Sequence, residues 1–285
     1  MFKALVLLFL IAPLVSACSF KKEKENSSDL LLSLLLLLPD RAENYDRDVE
    51  IVTHTNVPLS TPNSPFYFDL NYSEEDLNYY KNLLQAQIAK YPRGYWIKGR
   101  VEKVILVKYI LNAGGGLRGL ADGAQKAVYL SVGRGIATCN CDEDLASTIH
   151  HELMHNVDYS VFGTSPSPFQ TPEWTSLNSK GFQYGSVYYS GTPLTVWTHL
   201  INPMPGFLSY YGTTNVTEDR AIFASAIFSD PEQFQSNSLA TFCQNDPIVA
   251  AKVRNLIAYL NRFWPFAGGE SFWKTRMAGT NASCS

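Results

Sequence analysis

Apolar positions along the chain fall into a few periodic stretches, and each predicts an element. Residues 73–90 open on Ser73-Glu74-Glu75-Asp76, a capping residue followed by acids. They then place Leu77, Tyr80, Leu83, Leu84 and Ile88 at helical spacing ahead of Pro92. This predicts a core-facing helix without chemistry of its own. Residues 101–111, rich in Val, Ile and Tyr, predict a buried strand, and Gly114-Gly115-Gly116 after them a loop. No G-K-[ST] ending follows those glycines, so a phosphate-binding loop is excluded. Residues 127–132, AVYLSV, predict a second strand, and residues 133–141 a loop. Asp142 and Asp144 then announce a helix over about 143–160. Residues 162–212 mix Gly, Pro, Ser, Thr and aromatics into a long loop-rich excursion, after which helices are expected over 216–228 and 247–263. The pattern as a whole is α+β: a small sheet packed on a central helix, then a mainly helical, loop-rich C-terminal half.

The first residues read differently. Lys3 precedes an apolar run over 4–15, and Val15-Ser16-Ala17 leads small residues into Cys18. This resembles a bacterial lipoprotein signal, which implies a signal peptide over 1–17 and lipidation of Cys18; an ordinary signal peptide with an incidental Cys is the alternative. Residues 18–50 are expected to be a lipidated low-complexity tether, and 51–285 the folded domain. The leucine-rich stretch 30–38 would reach only about 14 Å as a helix, against a hydrocarbon core of ~30 Å, so it does not span a bilayer. The expected location is the bacterial cell envelope, on its periplasmic or surface face, with the lipid anchor as the membrane contact.

Composition narrows the function classes. With 285 residues, 46% hydrophobic, the chain can bury a sizeable core. Its 23 basic and 26 acidic residues nearly cancel, and no basic cluster flanks the aromatics, which argues against nucleic acid as a partner. A monomer is expected. Besides Cys18, an exported chain with Cys139, Cys141, Cys243 and Cys284 is expected to form up to two disulfides. One or both of Cys139 and Cys141 are expected to reach Cys243 or Cys284; metal binding by the C-x-C pair lacks further ligands at suitable spacing.

The main chemical signal lies inside the predicted helix 143–160. His151-Glu152-Leu153-Met154-His155 is an HExxH motif. Positions i and i+4 lie on one helix face with Cβ atoms about 5 to 6 Å apart, so two imidazoles can converge on one Zn²⁺ with Glu152 beside them. His150 begins no such motif, because Met154 stands four residues on. Zinc needs a third protein ligand and an open position for water. The HExxHxxGxxH pattern is excluded, since Asp158 and Val161 stand where its Gly and last His would be. Glu218, Asp219 and His199 remain as candidates.

Tyr211-Gly212-Thr213-Thr214-Asn215-Val216-Thr217-Glu218 forms a Y-G-x-T-N-x-x-E pattern downstream of HExxH, which continues as H-x-V-D over 155–158. Over residues 148–228, under a third of the chain, this resembles the family of the anthrax lethal factor catalytic domain and related bacterial proteins assigned as zinc metallopeptidases. The resemblance implies a zincin-like, gluzincin-type domain with Glu218 as third zinc ligand and Tyr211 supporting the oxyanion. It also implies a second acid one turn after Glu218, where this chain has Ile222; Asp158 and Asp219 are the candidates to orient the ligands instead. Asn215 followed by Glu218 is equally a capping signature, in which Glu218 would turn back to the Asn215 backbone.

The expected activity is zinc-dependent hydrolysis of a peptide or protein substrate, by an endopeptidase rather than an exopeptidase. Glu152 would act as general base on the attacking water, and residues 127–132 would form the strand that receives substrate. The alternatives are an inactive zinc-binding surface lipoprotein serving as a binding or adhesion module, and a structural lipoprotein whose motif is coincidental.

Overall fold

In the computed structural model, residues 40–54, 65–112, 115–133, 142–164, 171–185, 202–229, 238–266 and 272–285 are described, with Glu143 described in its backbone only. Cys18, the stretch 30–38, Cys139, Cys141 and His199 lie outside the described residues. In chain order the strands and first helices are β1 (Glu50–Val52), β2 (Tyr67–Asp69), α1 (Glu74–Ile88), α2 (Tyr95–Lys98), β3 (Lys103–Val107), β4 (Tyr109–Asn112), β5 (Gly115–Leu117), β6 (Gly119–Asp122) and β7 (Ala127–Ser131). The helices α3 (Asp142–Phe162), α4 (Pro172–Thr175), α5 (Val216–Phe228), α6 (Leu239–Asn245), α7 (Pro247–Phe263) and α8 (Phe272–Ser283) follow. Among the described residues no helix is long and apolar enough to cross a membrane.

The strand expected over 101–111 is two strands in two sheets. β3 joins a four-stranded sheet of order β1-β3-β7-β6, whereas β4 joins a three-stranded antiparallel sheet of order β2-β4-β5. The chain changes sheets at Lys108, whose N–H donates to Asp69 and whose carbonyl accepts from Gly133. Gly133 is needed at that corner, because a Cβ there would lie 2.2 Å from the Tyr109 ring. Gly115 and Gly116, expected in a loop, pair with Asn112 and Leu111 as part of β5. Backbone hydrogen bonding to a neighbouring strand decides this, and glycine supplies it as well as any residue.

Because side chains alternate across a strand, the four-stranded sheet serves two cores. Val104, Leu106, Val128 and Leu130 face the helices, and Ile105, Val107, Ala127 and Tyr129 face the small sheet. The folded unit starts earlier than the expected boundary at 51. Tyr45 and Val49 pack on the helical core, and β1 pairs in parallel with β3, so residues 42–50 belong to the fold rather than the tether.

The helices expected over 73–90, 216–228 and 247–263 form. α1 is capped by Ser73, whose side chain accepts from the Asp76 N–H, and α5 and α7 keep their expected bounds. α6 and α8 were not anticipated. A disulfide between Cys243, in α6, and Cys284, just past the end of α8, ties them together, with Cα atoms 4.9 Å apart. This corrects the expected pairing: neither cysteine is available to Cys139 or Cys141, because helix packing had brought residues 41 apart in sequence side by side.

Candidate metal centre

α3 crosses the molecule between the sheet and α5, and both of its faces are buried. Ile149, Leu153, Met154 and Val157 enter the main core, while His151 and Glu152 are 3% and 7% exposed. Its first turn is tied down by a buried ion pair between Asp144 and Arg118, 2.9 Å apart. His150 turns into the protein, where its Nδ1 lies 2.8 Å from the Tyr91 hydroxyl and its Nε2 3.1 Å from the Gln87 oxygen. Burial, aided by Lys90, drives its pKa well below that of a free imidazole, so it is a neutral packing residue.

On the other face, three donors converge. His151 Nε2 and His155 Nε2 are 3.0 Å apart, and Glu218 Oε2 lies 2.9 Å from the first and 3.3 Å from the second. The three residues form a cluster able to hold a metal ion. A tetrahedral zinc with ligands at 2.0–2.1 Å separates its donors by about 3.3 to 3.4 Å, so this triangle need open by only a few tenths of an ångström to accept one. The donor types also fit, being two imidazole nitrogens that face one another and one carboxylate.

Glu218 reaches the histidines because α5 begins beside them. Asn215 caps that helix by accepting from the Thr217 and Glu218 N–H groups, both at 2.9 Å. The capping signature and the ligand pattern therefore coexist: Asn215 supplies the cap, and the Glu218 carboxylate is turned to the histidines. Burial alone would raise the Glu218 pKa, but the two imidazoles hold it well below the usual range. Burial likewise disfavours charge on His155, yet the Glu218 carboxylate lifts its pKa to about 9. Positive charge is thus drawn to the place a cation would take.

Glu152 lies beside this cluster and against β6. Burial raises its pKa, opposed by His151 and His155 and by a hydrogen bond from the Ala121 N–H. The strand can lie this close because it carries no side chain at the contact. A Cβ on Gly119 would sit 2.5 Å from Glu152 Cγ, and one on Gly123, just past β6, 2.6 Å from Tyr159. Gly119→Ala is therefore expected to push the Glu152 carboxylate aside and lower any turnover that depends on it by about tenfold or more, with zinc content unchanged. Parallel metal analysis and kinetics of the variant check this; full turnover would mean that the strand yields instead.

Tyr211 sits half-buried in a 3-10 turn, Tyr211–Thr213, with its ring centroid 6.1 Å from that of His151. Asp158 and Asp219 are elsewhere engaged. Asp158 accepts two hydrogen bonds from Arg220, at 2.9 and 3.1 Å, and one from the Tyr259 hydroxyl. Asp219 accepts from Lys252 and Tyr184, each at 2.7 Å, and from Trp174 at 2.9 Å. Each carboxylate neutralises a buried cation. Ile222 is 1% exposed and adds to the core.

Two contributors were missed in the sequence. Gly119 left no signal, since its role exists only across the α3–β6 contact. Lys252 did leave one: it interrupts the apolar stripe Val249, Val253, Leu256 and Leu260 of a helix, a position that calls for a buried counter-charge.

Neither protein-family models nor curated protein sequences give a match to this chain. Among solved structures, one similar chain is a Bacteroides caccae protein provisionally assigned as a zinc-binding metallo-peptidase. It is 15% identical, covers 93% of this chain and 97% of its own length, and has a TM-score of 0.46.

Proposed function

We propose that this protein is a zinc metallopeptidase with His151, His155 and Glu218 as ligands and Glu152 as general base. The observation that carries the reading is the convergence of two imidazoles and one carboxylate on a single point, with a second, buried carboxylate beside them. Zinc held there would act as a Lewis acid on the scissile carbonyl and make water acidic enough to be deprotonated near neutral pH.

The residues of the chain do the rest. Glu152, whose burial makes it a stronger base than a free carboxylate, takes a proton from the attacking water and delivers it to the leaving amine. Tyr211 donates from its phenol to the carbonyl oxygen as charge develops there. An extended substrate strand would pair with the outer edge of β6. This replaces residues 127–132 in that role, because β7 is hydrogen-bonded on both sides, to β3 and to β6, and has no edge to offer. The zincin-type arrangement is part of the same proposal, as are export and anchoring through Cys18, which rest on the sequence alone.

Purified protein is expected to hold about one zinc per chain and to cleave peptides internally, with activity removed by a chelator and restored by zinc. Zinc without cleavage of any member of a random peptide library would favour the binding-module alternative; failure to bind zinc would remove the metal reading altogether. Tyr211→Phe is expected to lower kcat about tenfold with little change in KM or zinc content, since the phenol acts on the transition state. An unchanged kcat would return Tyr211 to the role of packing residue.

A further inference from the structure

A cavity of about 300 Å³ opens beside the last turn of α3, bounded by α4, α5 and α7. None of the three clustered donors lines it, and neither does Glu152. Its deepest charged group is Arg220, 3% exposed. Asp158 takes the Nε and Nη2 edge of that guanidinium. The third nitrogen, Nη1, has no hydrogen-bond partner among the described residues, yet it is not one of the polar atoms sealed away from solvent. A structural ion pair needs only the bonded edge, and a buried donor left unmade is unfavourable.

The surroundings are aromatic. The rings of Tyr259, Trp174 and Phe162 lie 4.2, 5.6 and 5.9 Å from the Arg220 guanidinium carbon. Phe162 and Val161, at the rim of the cavity, are 40% and 48% exposed. One further polar group within reach lines the space, the half-buried amide of Asn255; the Thr171 Oγ1, also at its wall, is sealed from solvent. Glu173 and Arg262, both exposed, flank the opening with opposite charges.

We propose that this cavity is a ligand site, separate from the metal centre, for an aromatic group bearing a carboxylate. The ring lies against Phe162 and Tyr259. One carboxylate oxygen accepts from Arg220 Nη1, and the other from the Asn255 amide. A planar guanidinium fixed on one edge presents its remaining donors in a set direction, which suits a carboxylate. The volume is at the small end of ligand pockets and takes a single ring with a short chain. Two sources share this chemistry, a free aryl-alkanoic acid and an aromatic residue at the carboxy terminus of a peptide. Because Asp158 already neutralises Arg220, direction rather than net charge sets the preference.

Calorimetric titration of the full-length protein with 3-phenylpropanoate tests the site. Saturable binding is expected, with 3-phenylpropanol and propanoate each binding on the order of ten- to a hundredfold more weakly, as either the charge-assisted bond or the ring is lost. Arg220→Lys keeps a cation for Asp158 but removes Nη1 and one of the two bonds to that carboxylate, and is expected to weaken binding by a similar factor while still folding, at a lowered melting temperature. Should that variant fail to fold, Asn255→Phe fills the cavity from α7 without touching the ion pair, and is expected to abolish binding. N-acetylphenylalanine binding more tightly than 3-phenylpropanoate would support the site with a peptide terminus as its source, and the reverse order would support it with a free acid. No saturable binding, equal binding of the alcohol, or undiminished binding to a folded Arg220→Lys or Asn255→Phe variant would overturn the proposal.

Discussion

Glu152→Gln is expected to keep its zinc and to lose about 10²- to 10⁴-fold in turnover, the usual contribution of a positioned general base. Glutamine has the same shape, so the side-chain oxygen can still accept from the Ala121 N–H. The three donors of the cluster are untouched. What is lost is the ability to take a proton, and the loss should appear in kcat rather than in KM. Glu218→Ala is the complementary experiment. It removes a donor held at 2.9 and 3.3 Å from the two imidazoles and is expected to release the metal, with activity falling as a consequence. Metal content and kinetics of the two variants separate base from ligand. A Glu152→Gln protein as active as its parent would exclude the mechanism, and a Glu218→Ala protein that retains zinc would require another third ligand.

Lys252→Met is expected to be the most destabilising single change outside the cluster. Lys252 is fully buried, donates to Asp219 and to the Gly206 carbonyl, each at 2.7 Å, and lies 3.8 Å over the Phe207 ring. Burial raises the Asp219 pKa, and Lys252 is the largest influence opposing it. Methionine fills the space but leaves a buried carboxylate without its cation, which costs about 3 to 5 kcal/mol and lowers the melting temperature on the order of 10 °C. Asp219 follows Glu218 in the first turn of α5, so zinc affinity should fall with stability. The double variant Lys252→Met/Asp219→Asn removes the stranded charge and is expected to recover most of the loss. If Lys252→Met melts with the parent, Asp219 takes up a proton at little cost and the pair does not position Glu218.

The elements legible in advance were those whose signal repeats within one turn or one strand. Ser73 and the acids after it mark the start of α1, and the helices expected over 216–228 and 247–263 match α5 and α7 to the residue. The helical i, i+4 spacing already put His151 and His155 on one face. Less regular segments were not legible. α6 is short, and the buried stripe of α8, Trp273, Met277, Thr280 and, just past its end, Cys284, includes a Thr and a Cys that weaken its apolar signal. In β6 all four residues are half-buried, so nothing alternates. Lys108 carries no mark of the change of sheet, which arises from bonds to Asp69 and Gly133.

The sequence alone therefore determined the two imidazoles, the carboxylate of Glu152 beside them and the helix that carries all three, because a helix converts spacing into direction over a single turn. It named Glu218 but left it divided between a cap and a ligand. Tertiary structure set the start of α5 against α3, where Asn215 takes the cap and the Glu218 carboxylate meets both histidines. The same packing gave Asp158 to Arg220, Asp219 to Lys252, Cys243 to Cys284, and the open edge beside Glu152 to β6 instead of β7. Each of these pairs joins residues far apart in the chain, and their meeting depends on how whole elements stack, which no local pattern encodes.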